Sequence, residues 1–178
     1  MKKISLFLLS IFVVLSLTSC EKFDTNNPID NSTVTTLDLQ RYLGDWYEIA
    51  RYDHSFEKGL VGCKANYTLR NDGLIKVLNT GYKGSLNGKY KESEGKARRP
   101  NEAKPGQLQV AFFWNFWGDY YVLELDSDYR FVLVGSKTDK YLWILSRTPQ
   151  MEQQDLDFVL ERAKERGYDV TKLIWVEQ

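Results

Sequence analysis

Between Gly44 and Arg147 hydrophobic and polar positions alternate in a procession of short runs: DWYEIARY, KANYTLR, LIKVLNTGY, GKYKESEGKA, LQVAFFW, YYVLELD, RFVLVGS and YLWILSR. Runs of this length, rich in aromatic and β-branched residues, are the mark of half-buried strands. The connections Asn71-Asp72-Gly73, Gly84 to Gly88 and Ser127-Asp128-Tyr129 are short and turn-like, which predicts an antiparallel meander. Eight such strands remove their exposed edges by closing into an up-and-down β-barrel, whose interior at that strand number holds one small ligand. A β-sandwich is the competing architecture, and it would need longer crossing connections. After Thr148-Pro149 the period changes. Leu156, Val159, Leu160 and Ala163 recur at spacings of three and four between Glu152 and Arg166, one apolar stripe of a helix that Gly167 stops. That helix is expected to pack outside the barrel, and Leu173 to Val176 resumes as a short strand. The expected class is all-β with one C-terminal α-helix.

The first twenty residues follow neither period. Lys2 and Lys3 precede an apolar run from Ile4 to Leu17, and the segment ends Leu17-Thr18-Ser19-Cys20. This ending resembles the lipobox of bacterial lipoproteins, in which the cysteine is acylated and becomes the first mature residue. The alternative, an uncleaved membrane anchor, meets a run shorter than the roughly 20 apolar residues that a spanning helix needs. The resemblance implies a signal peptide over residues 1–19 and lipidation of Cys20, each buried methylene adding about 0.8 kcal/mol of membrane affinity. Residues 20–36, polar and rich in Asn, Asp, Ser and Thr, read as a tether, and residues 37–178 as the folded domain. Glu21 lacks the aspartate that often retains lipoproteins at the inner membrane. That leans toward the outer membrane of a bacterial envelope.

Composition narrows the partners. The 24 Lys and Arg balance 24 Asp and Glu, so nucleic acid has no electrostatic invitation. With Cys20 assigned to lipid, Cys63 is a lone thiol without a disulfide partner, and His54 is the single histidine. No spacing of ligands suggests a metal or a cofactor.

Gly44-Asp45-Trp46, Asp128-Tyr129 and Arg147 resemble the three short signatures of the lipocalins: G-x-W at the start of the first strand, a D-Y turn between the sixth and seventh, and an arginine after the eighth. The stretches Tyr42 to Asp53, Asn79 to Tyr82 and Tyr141 to Pro149 are similar to the bacterial lipocalin subgroup, itself made of lipoproteins. In a meander these signatures meet at one end, where an arginine over an indole closes the barrel against water. The opposite end is then the mouth, formed by loops 53–61, 83–87, 115–118 and 137–139. Phe56, Leu60, Phe116 and Trp117 give that rim an apolar character suited to a membrane surface or a partner, unless the rings fold inward and plug it.

Alternation proposes the lumen side chains: Ala65, Tyr67, Val77, Asn79, Val110, Phe112, Tyr120, Val122, Tyr141 and Trp143, with Leu145 on the face of Trp143. A barrel packed too tightly for any cavity is the alternative. Glu48, sharing the face of Trp46, is an inward carboxylate needing a partner such as a tyrosine hydroxyl or Asn79. If Tyr120 and Val122 face inward, Tyr121, Leu123 and Leu125 face outward and leave a homodimer open. The lipocalin resemblance implies reversible binding of fatty acids, lysophospholipids or related amphiphiles, without chemistry on the ligand. Two other readings stand beside it. One is an enzyme using Cys63 as a cavity thiol, which needs a cationic or basic neighbour. The other is a structural envelope lipoprotein contacting a protein through its mouth.

Overall fold

The computed structural model of the chain describes residues 28–178. The apolar run and Cys20 lie outside the described residues. A short helix, α1 (Leu39–Tyr42), precedes β1 (Gly44–Tyr52), β2 (Leu60–Leu69), β3 (Ile75–Lys83), β4 (Lys89–Arg98), β5 (Gln107–Ala111), β6 (Gly118–Leu125), β7 (Phe131–Gly135) and β8 (Leu142–Ser146). Helix α2 (Gln153–Glu165), a 3₁₀ turn (Val170–Lys172) and β9 (Leu173–Trp175) follow. Strands β2 to β8 pair antiparallel in sequence order, and β1 pairs with both β2 and β8, so eight strands close into a barrel rather than a sandwich.

The closing seam is filled from an unexpected source. β1 pairs with β2 only over Gly44 to Tyr47. Toward the mouth β2 shifts register between Val61 and Lys64, where Gly62 holds a φ of 58°, and β1 shifts between Glu48 and Ala50. Residues 173–178 enter the gap: β9 pairs with Ala50 to Tyr52, Val176 N donates to Ile49 O at 2.9 Å and Gly62 N to Glu177 O at 2.6 Å. Gln178 Nε2 then bridges the carbonyls of Glu48 and Cys63 at 2.5 and 3.0 Å.

Two apolar layers result. Inside the barrel, Trp46, Tyr67, Val77, Val122, Val132, Val134 and Leu145 form one core, closed at the base by Tyr42 and Leu39 of α1. Asp38 caps that helix by accepting from the backbone of Gln40 and Arg41. Outside, Val159 and Ala163 of α2 pack on Leu123, Leu133 and Ile144. The helix ends in a Schellman motif, Gly167 N donating to Lys164 O and Tyr168 N to Ala163 O, with Gly167 at a φ of 83°.

Three expectations are corrected. Residues 28–36, expected as part of the tether, pack on the domain instead: Ile29 and Val34 lie against the two cores and Arg166 donates to the carbonyls of Asp30 and Ser32. This strap climbs the outside of the barrel from the base toward the mouth, where Asn31 Nδ2 donates to Lys137 O at 2.8 Å. The outward face of β6 is no open dimer surface. Leu123 is 1% exposed beneath α2, and a register shift between Val122 and Glu124 turns Leu125 against the inner core. β5 ends at Ala111 rather than Trp114, and Trp114 adopts a φ of 48° in the loop that follows.

Candidate functional site

The signature residues meet at the closed base. Trp46 is fully buried, its Nε1 donating to Tyr42 O at 2.8 Å, and the Arg147 guanidinium lies 3.8 Å from its ring centroid. Arg147 also donates to the carbonyls of Asp45 (2.7 Å), Arg41 (2.6 Å) and Tyr129 (3.3 Å). Gly44, at a φ of 92°, brings the start of β1 under that guanidinium. Tyr129, at a φ of 63°, accepts from Asp38 N through its hydroxyl and stacks under Arg41 at 4.2 Å. Asp128 contributes only its backbone N–H to the turn's knot. The tying carboxylate is Asp126, which accepts from the N–H of Asp128 and Arg130 and from the Arg130 guanidinium.

Above this base the barrel holds a cavity of about 830 Å³, within the usual range of about 300–1,000 Å³ for small-molecule sites. Ala65, Tyr67, Val77 and Asn79 line it from β2 and β3, Val110 and Tyr120 from β5 and β6, Tyr141 and Trp143 from β8 and its approach, and Phe112 from the rim. Val122 is not among them. It is fully buried in the inner core, against which Tyr120 packs. The floor is polar at one point: Tyr120 Oη lies 2.7 Å from Tyr42 Oη and 3.0 Å from Tyr67 Oη. Burial pushes all three hydroxyls above the usual tyrosine range, so they act as neutral donors and acceptors.

A second polar group lies in the upper wall, and the alternation of apolar residues gave no sign of most of it. Glu48 lines the cavity, but its partner is neither a tyrosine nor Asn79. Arg51, 2% exposed, donates to Glu48 Oε1 at 2.5 Å and to the carbonyls of Glu57 and Leu60 at 2.9 and 3.1 Å. Strict alternation fails here because β1 shifts register between Glu48 and Ala50. Glu57 reaches in from the 53–59 loop, its Oε2 accepting from Trp143 Nε1 at 3.2 Å and lying 2.9 Å from His54 Nε2. His54 stacks on Phe56 at 3.8 Å and lies 5.2 Å from the Trp143 ring. Burial and the neighbouring Glu57 carboxylate push the Glu48 carboxyl up to about 8 against the opposing pull of Arg51.

Cys63 also lines the cavity, with Arg51 Nη1 3.9 Å from its sulfur. Burial, reinforced by Glu48, pushes the thiol up to about 12, which leaves it protonated at neutral pH. Around the mouth Phe113, Trp114 and Phe116 are 72%, 79% and 75% exposed, so these rings do not plug the opening. Trp117 is the exception, held sideways beneath the Arg98 guanidinium at 4.1 Å.

Known proteins align with this architecture. The family model of the lipocalin-like domain matches residues 37–178. The outer membrane lipoprotein Blc of Vibrio cholerae is 49% identical over 82% of this chain and 85% of its own, and Blc of Escherichia coli K12 is 46% identical over 83% and 82%. Temperature-induced lipocalin-1 of Arabidopsis thaliana is 41% identical, covering 79% of this chain and 78% of its own. Among solved structures, insecticyanin of the tobacco hornworm superposes with a TM-score of 0.67 at 23% identity, over 85% of this chain and 86% of that one.

Proposed function

The chain belongs to the lipocalin family, and on that premise we propose that it is a lipid-anchored carrier of the bacterial outer membrane whose barrel holds a fatty acid, a lysophospholipid or a related amphiphile. The observation that carries this reading is the cavity: apolar side chains from most of the barrel strands surround a volume suited to a hydrocarbon chain, with polar side chains interspersed that can meet a head group. Removing a chain from water into such a lining gains about 0.8 kcal/mol per methylene. Nothing in the reading requires the ligand to react, and the protonated Cys63 thiol is a poor nucleophile.

Anchorage through Cys20 rests on the Leu-Thr-Ser-Cys ending and accords with relatives named outer membrane lipoproteins. The strap adds a geometric argument. Its path toward Lys137 brings Pro28 out beside Gly167, on the mouth side of the barrel. The residues between Cys20 and Pro28 span at most about 30 Å when extended. A lipid at Cys20 therefore keeps the mouth, with Phe113, Trp114 and Phe116 on its rim, within reach of the bilayer. Aromatic side chains of this kind favour the headgroup interface.

Native mass spectrometry of the mature chain, titrated with lysophospholipid and with a long-chain fatty acid below their micelle concentrations, tests the proposal. One ligand per barrel, displacing any co-purified lipid, is the expected result. A folded barrel that takes neither amphiphile contradicts it.

A further inference from the structure

The upper wall of the cavity carries two buried carboxylates. Glu48 and Glu57 both line it, with side chains 7% and 12% exposed. Arg51 is the guanidinium between them, and it is committed to Glu48 and to two backbone carbonyls. The groups facing these carboxylates from β1, β2, β8 and the 53–59 loop are Arg51, Cys63, Trp143 and His54. The two buried carboxylates face one guanidinium and the His54 imidazole, whose Nε2 lies 2.9 Å from Glu57 Oε2, and burial with the neighbouring Glu57 carboxylate keeps a proton on Glu48 to about pH 8. A ligand cation beside them offers these carboxylates a partner in place of that proton.

The aromatic side chains beside this wall suit such a cation. Tyr141 and Trp143 lie nearly parallel, their centroids 5.7 Å apart, and Phe56 lies 6.2 Å from Tyr141. All three line the cavity, and electron-rich ring faces attract ammonium groups. Lys58, Lys64, Lys83 and Lys91 also line it.

We propose that Glu57 and Glu48, with the rings of Tyr141 and Trp143, form a subsite for a cationic nitrogen carried by the bound amphiphile. The barrel accordingly prefers an amine-bearing chain to a neutral or carboxylate one of equal length. This rests on the carrier reading and adds the charge of the head. The nitrogen belongs either to a long-chain amine or to the ammonium of a zwitterionic lysophospholipid.

Calorimetric titration of the mature chain with dodecylamine, dodecanol and dodecanoate, below their micelle concentrations, tests the subsite. The amine binds about tenfold tighter than the alcohol, the carboxylate binds no tighter than the alcohol, and Glu57→Gln removes the amine's advantage over the alcohol. Tyr141→Leu, which leaves the buried charges in place, reduces the same advantage and serves if Glu57→Gln does not fold. An amine that binds no tighter than the alcohol, or an advantage that survives both substitutions, overturns the subsite and leaves the carrier intact. Binding of none of the three overturns the carrier reading as well. Ethanolamine-headed and glycerol-headed lysophospholipids of equal chain length separate the sources: a matching advantage for ethanolamine, lost in Glu57→Gln, assigns the nitrogen to lysophospholipid, and its absence assigns it to a free amine.

Discussion

The Arg147 guanidinium stacks 3.8 Å from the Trp46 ring while its Nη atoms bind the carbonyls of Asp45 and Arg41. One side chain thus ties the start of β1, the end of α1 and the turn bearing Tyr129 into the plug that closes the barrel base. The contact lies at the end of the molecule opposite the mouth, so it holds the container shut without meeting its contents. Arg147→Ala is expected to cost about 2–4 kcal/mol of unfolding free energy, from the lost cation–π contact and hydrogen bonds. Arg147→Lys restores less than half, since an ammonium cannot reproduce the planar fork. Urea denaturation measures the loss, and ligand affinity per folded molecule stays unchanged.

The raised Glu48 carboxyl gives stability a definite pH dependence. Its ordinary value is 4.5 and its folded value about 8, so between those limits the folded state holds a proton that the unfolded state has released. The contribution is complete below about pH 4.5 and is lost as pH rises through 8. Melting temperatures of the native chain and of Glu48→Gln, measured from pH 5 to 9, are expected to converge at the low end and to diverge at the high end, the native chain falling faster. Parallel curves would contradict this assignment.

Cys63 is 3% exposed, and the segment that fills the barrel seam bonds its backbone carbonyl through Gln178. The native thiol is expected to resist alkylation at pH 8 until the protein unfolds, and Cys63→Ala is expected to leave ligand affinity within about twofold. Deleting residues 174–178 removes the bonds from Val176, Glu177 and Gln178 to Ile49, Gly62, Glu48 and Cys63. The expected cost is about 2–4 kcal/mol. Alkylation of Cys63 then becomes fast in the folded state, which separates an opened seam from global unfolding.

Phe113, Trp114 and Phe116 contribute little to the fold because most of their surface already faces water. Replacing all three with Ser is expected to shift the melting temperature by no more than about 2 °C. In the mature chain with Cys20→Ser, where no acyl group masks the effect, the same change is expected to weaken partition onto phospholipid vesicles by about tenfold or more. Sedimentation with the vesicles reads the difference.

Much of the barrel was legible because its physics is local. Alternating runs and short turns specify a meander, a 3.6-residue stripe specifies α2, and topology alone brings Trp46, Tyr129 and Arg147 to one end. Nine of the ten side chains expected in the lumen do line the cavity. The parts that escaped depend on contacts made across the chain. Glu57 enters from a loop, and loops carry no periodicity. Arg51 is a charged side chain in a strand whose register shifts two residues earlier. Residues 28–36 look like polar tether because their few apolar positions, Ile29 and Val34, pack on surfaces assembled from distant segments. Trp114 extended an apolar run that the backbone breaks with a left-handed φ.

A carrier of this kind receives the amphiphile in the lumen rather than on the outer surface. The most direct measurement is a crystal structure of the mature chain with a bound lysophospholipid. Acyl density between Val77, Val110, Val134 and Leu145, with the head beside Trp143 and Glu57, is the expected result. Density confined to the outside of the barrel, or an unchanged and empty lumen under saturating ligand, would contradict it.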